Sequence, residues 1–141
     1  MFPTGPRSNL AHRRLTELRH ALLRLHKTLL DSEKLTYERK HGRIASRGAF
    51  FQLVIGDPWF AWLHRVSEMV VQIDEMLDSK EPIAAVEATK VIERARLLLK
   101  PSEDGAEFAK RYWAAMQRDP DVVLAHAEVK RQLRKSVFHL N

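Results

Sequence analysis

Five leucines, Leu15, Leu18, Leu22, Leu25 and Leu29, recur at spacings of three and four within Asn9 to His41, a stretch holding neither proline nor glycine. That spacing gathers them on one stripe of an α-helix. Gly42 then offers a natural stop. At about 1.5 Å per residue the helix is roughly 45–50 Å long. A chain of 141 residues has the size of one domain. The remaining segments are therefore read as cover for this helix.

Residues 1–8 contain two prolines and a glycine before any periodic pattern and read as a flexible lead-in. Phe50-Phe51-Gln52-Leu53-Val54-Ile55, between Gly48 and Gly56, has the length and β-branched content of a buried strand. No other segment offers a strand partner, and a lone strand leaves its backbone polar groups unpaired. The expectation is a short buried helix from near Ser46. Asp57-Pro58 opens the next helix, with Asp as N-cap and Pro where its missing N–H costs nothing. Trp59, Trp62, Val66, Ile73 and Leu77 lie on its apolar face, with Leu63 and Val70 beside them.

A fourth helix is expected from near Pro82 to Lys100-Pro101, with Ala88, Val91, Ala95 and Leu98 inward. Asp104 and Glu107 have the spacing of a capping box for a fifth, whose inner face is Phe108, Tyr112 and Met116. Asp119-Pro120 repeats the Asp-Pro start, and Val122, Ala125, Val129 and Leu133 line the last helix. The fold class that follows is all-α. It is an irregular bundle of five or six helices with a long first helix, forming one domain over residues 9–141.

The chain has no cysteine. Disulfides, thiolate zinc sites, iron–sulfur clusters and a cysteine nucleophile are excluded. No apolar run approaches the ~20 residues that cross a bilayer, so no membrane partner is expected. The opening residues lack the apolar core of a secretion signal, and the expected location is the cytoplasm. No Gly-rich phosphate loop and no serine elbow is present, which leaves catalysis without a signature.

The net charge is +6, and it is unevenly placed: residues 1–47 carry +7, residues 48–105 carry −4 and residues 106–141 carry +3. The basic ends either form one surface for an external anion or dock on the acidic middle of the same chain. For phosphate-backbone binding the candidate cations are Arg13, Arg24 and Lys27 on the first helix and Lys130, Arg131, Arg134 and Lys135 on the last.

Imidazole and carboxylate are the metal ligands left to this chain. Glu17/His20 and Glu38/His41 have the Glu-x-x-His spacing of di-iron bundles. Both lie on one helix, opposite its leucine stripe, where they read as solvated. His64 and Glu68 read as an exposed helical pair. His26, Glu33, Tyr37 and His126 are the ionisable set expected to meet the interior. His26 and His126 would be the ligand pair for a transition metal or small ligand, with Glu33 as an outer partner. The competing expectation is that Glu33 and Lys40 mark the first helix running past the end of the core. Phe60 and Trp113 are expected as half-exposed aromatics able to anchor a partner.

Three functional readings follow. The first is a non-catalytic interaction or regulatory module that self-associates, because the first helix is longer than its cover and the Leu22 to Tyr37 segment would need another copy. The second is a His/Glu metal- or small-ligand-binding bundle. The third is phosphate-backbone binding of nucleic acid by the basic terminal helices.

Overall fold

A computed structural model describes the backbone of residues 6–138 and the side chains of residues 10–138. The elements are α1 (Pro6–His41), α2 (Arg47–Gly56), a 3₁₀ stretch (Pro58–Leu63), α3 (His64–Leu77), α4 (Ala85–Leu98), α5 (Glu107–Arg118) and α6 (Pro120–Leu133). No strand occurs among the described residues. None of their helices is long and apolar enough to cross a membrane. The chain is all-α with a long first helix. That helix is already formed at Pro6, three residues before Asn9, and residues 1–5 of the expected lead-in lie outside the described residues.

The leucine stripe is the axis of the core. Leu15, Leu18, Leu22, Leu25 and Leu29 are all buried, each contributing roughly 1.5–3 kcal/mol. α1 packs mainly on α6 and α3, with α4 and the 3₁₀ stretch adding to its cover. Val66, Val70 and Ile73 of α3 and Val122, Val129 and Leu133 of α6 are among the side chains that bury it. α1 ends at Gly42, whose φ of 91° lies in the left-handed region and whose N–H returns to the Glu38 carbonyl at 2.8 Å.

Three helix starts carry side-chain caps, those at Asp57 and Asp119 as expected. Ser46 Oγ accepts from the Ala49 N–H at 3.0 Å, Asp57 from Trp59 at 2.8 Å and Asp119 from Asp121 at 2.9 Å. Asp57-Pro58 opens six residues of 3₁₀ helix before α3 proper. Two starts differ from the sequence expectation. α4 begins at Ala85, three residues past Pro82. The Asp104/Glu107 capping box does not form, because α5 starts at Glu107 with the extended Ala106 as N-cap. A turn at Ser102–Gly105, tied by the Ser102 N–H to the Ala109 carbonyl at 3.1 Å, sets that start too late for Asp104 to reach it.

α2 is a helix, as expected, but it is not buried. Phe50, Leu53 and Val54 are half-buried, with Phe50 edge-on to Phe60 at 5.6 Å. Phe51 and Ile55 stand 61% and 54% exposed. α1 is already covered along its stripe by the later helices. α2 is left to close over the 3₁₀ stretch at one end of the bundle.

Candidate functional site

The buried carboxylate of Glu33 is the most constrained ionisable group in the fold. It is 3% exposed, one turn beyond Leu29 on the core side of α1, so α1 has not left the core at this point. Lys40, named with it in that expectation, is exposed. Glu33 is ion-paired to Arg118 at the end of α5 and accepts from the Trp62 indole N–H at 3.1 Å. Arg118 Nε donates to Ser32 Oγ at 3.2 Å, and Ser32 is buried too. A buried carboxylate needs such partners, and they tie α1, α5 and the 3₁₀ stretch together. Sequence reasoning missed both. Trp62 carried one signal, since a buried indole N–H seeks an acceptor; Arg118, 85 residues away, carried none.

The expected quartet of His26, Glu33, Tyr37 and His126 divides into separate surroundings. His26 is half-buried beside His64, and burial first, then the His64 charge, lowers its pKa. His126 is half-buried beside Tyr112 and Lys130, and burial followed by the Lys130 charge lowers its pKa as well. Tyr112 is itself buried, which pushes its phenol pKa up. Its hydroxyl pairs with His126 Nδ1 at 2.5 Å, suiting a neutral imidazole protonated at Nε2. Tyr37 stacks on His41 at 4.4 Å and meets Trp59 edge-on at 5.5 Å. His26 and His126 thus have different recorded neighbours, the first His64 at the start of α3 and the second Tyr112 of α5. Among the described residues no group of three or more His, Asp or Glu is placed to hold a metal ion.

The other histidine pairs are also used differently from expectation. His64 is no solvated partner of Glu68; its Nε2 lies 3.0 Å from the Val54 carbonyl and fastens α2 to the start of α3. Glu17 meets Arg14 at 3.1 Å and Lys135 at 3.6 Å, and Glu38 accepts from the Ile44 N–H at 2.9 Å. Both glutamates are half-buried rather than solvated, whereas His20 and His41 are exposed as expected.

Three of the seven cations named for phosphate binding are ion-paired within the protein. Lys27 pairs with Asp31 at 2.8 Å, Arg131 with Glu128 at 2.8 Å and Lys135 with Glu17. Hydrogen bonds from Arg131 and then Gln132 pull the Glu128 carboxyl down to about 2. Lys130 is half-buried beside His126, and Arg24 lines an α1–α6 groove with Asp31, Asp119, Asp121 and Glu128. Arg13 and Arg134 are exposed.

A second basic group lies at the end of α1, where Arg39, Lys40, Arg43 and Arg47 are exposed and enter no ion pair among the described residues, Lys40 lying over the Trp59 ring at 5.8 Å. Arg47, Phe51 and Ile55 follow at intervals of four and are all exposed, which makes a mixed basic and apolar outer line on α2. Of the two aromatics expected as anchors, Trp113 is half-buried, whereas Phe60 is fully buried under α2 and the Tyr37 ring. Phe60 is therefore core, and Phe51 is the exposed aromatic of this end.

Compared with known proteins, the chain matches no family model, no curated protein and no solved structure.

Proposed function

We propose that this protein is a non-catalytic interaction module that self-associates through the end of the bundle built by α2 and the close of α1. The observation that carries the reading is α2 itself: a ten-residue helix with Phe50, Phe51, Leu53, Val54 and Ile55, none of them buried. Isolated helices shorter than ~12–15 residues are marginal in water, and folding of the single chain gains nothing from the outer side of this one. Leu22, Leu25 and Leu29 of the first helix are buried within the chain and leave no stripe there for a second copy to cover. The exposed apolar line lies on α2. Glu33 is engaged by Arg118 and His126 by Tyr112, which favours a structural role for them over a chemical one.

Solution mass is the test. Light scattering or sedimentation of the full chain between roughly 1 and 100 µM would register a contact worth about 5–8 kcal/mol. The expected mass rises above 16.4 kDa with concentration. Phe51→Asp/Ile55→Asp, whose side chains are exposed, keeps its helical circular dichroism and stays at the monomer mass. A wild-type chain that is monomeric throughout this range sinks the reading.

A further inference from the structure

We infer that the surface receiving α2 is the groove between α3 and α4 of a second copy. This rests on the self-association reading above and names the surface it leaves open. The argument begins with charge. Residues 1–47 carry +7 and residues 48–105 carry −4. Folding does little to cancel one against the other: among the described residues, Arg19–Asp74 is the one ion pair joining the two blocks. The sequence alternative in which the basic ends dock on the acidic middle of their own chain is therefore realised at a single contact. Both poles stay available to another molecule.

The two poles are also matched in polarity. The basic pole sets an exposed α2 line of Arg47, Phe51 and Ile55 at the same end of the fold as the exposed Arg39, Lys40 and Arg43 that close α1. The acidic pole is a groove of about 530 Å³, whose apolar lining includes Met76, Ile83 and Val91 and whose carboxylates are Glu75, Glu81 and Glu87. Glu75 and Glu81 are exposed and enter no ion pair among the described residues, while Glu87 meets Lys90 at 3.3 Å. Arg94, the cation of the lining, is turned to Gln72 at 3.2 Å. An apolar helix ridge entering an apolar groove, with cations meeting carboxylates at the rim, is a standard mode of helix recognition.

Other receivers fit less well. An α2–α2 contact would bring two sets of unpaired cations together, a like-charge arrangement that works against association. The groove between α1 and α6 has exposed Leu35 and Leu124, but Asp31 and Glu128 there are paired and Asp119 caps α6, which leaves Asp121 alone against the Arg24 of the same lining. Because the α2 tip and the α3–α4 groove are different surfaces, copies either exchange them reciprocally as a pair or run on as an open chain.

Complementation tests this directly. Phe51→Asp/Ile55→Asp removes the tip and leaves the groove; Glu75→Lys/Glu81→Lys removes the groove's charge and leaves the tip. All four side chains are exposed, and circular dichroism checks that each variant folds. Each variant alone is expected to be monomeric, with association weakened at least tenfold. An equal mixture is expected to recover a species of twice the monomer mass, because one intact tip meets one intact groove. A groove variant that associates like wild type, or a mixture that stays monomeric, overturns the inference while leaving self-association through α2 intact. A wild-type chain that never associates fails at the earlier step and overturns both.

Discussion

Glu33 shows how much a single side chain decides in this protein. Its carboxylate is out of water and is held by the Arg118 guanidinium and the Trp62 indole N–H. Removing one partner is therefore costly. Arg118→Met should destabilise by about 2–3 kcal/mol, below the 3–5 of a fully buried pair because the Arg118 side chain keeps 30% of its exposure. Glu33→Leu/Arg118→Met should regain part of that loss, since no unpaired charge stays behind but the buried Trp62 indole N–H loses its acceptor. Urea midpoints at constant m-value measure both. The histidines give a second prediction. Burial holds His26 and His126 below their ordinary value of 6.5, so the unfolded chain binds more protons between the folded and unfolded pKa values. Their contribution is present above pH ~6.5 and is lost as pH falls through the lowered folded values. Melting temperature should drop between pH 7.5 and pH 5, and His26→Gln/His126→Gln should flatten that drop; an unchanged slope would assign it to other groups.

Among the elements, helix starts divide into those closed by a side chain and those that are not. α2, the 3₁₀ stretch and α6 use Ser46, Asp57 and Asp119. α5 has Ala106 in extended conformation at its N-cap position with no side-chain acceptor. Ala106→Ser should therefore stabilise the protein by about 0.5–1 kcal/mol, read as a raised midpoint in thermal or urea unfolding. At the other end of α1, Gly42 has a φ of 91° and open space around it. Gly42→Ala would meet no neighbour, yet should cost about 1 kcal/mol through backbone strain alone. This turn matters beyond stability, because it aims the basic end of α1 and the start of α2 at the same end of the bundle.

At the level of the assembled chain, packing and charge are arranged on different principles. Packing is centred on α1, which the later helices cover along its length. Charge is polar: the basic end of α1 remains unpaired and the α3–α4 groove keeps free carboxylates. If association joins these poles, it must weaken with salt. Raising ionic strength from about 0.05 M to about 0.5 M shortens the Debye length to below ~5 Å, and the measured mass should shift towards that of the monomer. Association that strengthens with salt would instead mark an apolar contact without charge steering.

Local periodicity and capping residues were enough to read the helical class, the leucine stripe, the stop at Gly42 and the Asp-Pro starts, because each depends on residues within a turn or two. The same local signals failed where a competing contact lay nearby, as at Asp104, which a preceding turn holds out of reach of α5. They failed more fully wherever burial depends on distant segments. Apolar content made α2 look like core, but whether an apolar helix is covered depends on how much surface the other helices leave free. Phe60, by contrast, looked peripheral and is buried because α2 folds over it. Glu33 was legible as an inward carboxylate from its place on the stripe. That it meets Arg118 rather than a histidine is set by where α5 ends against α1, a contact spanning 85 residues that no periodicity encodes.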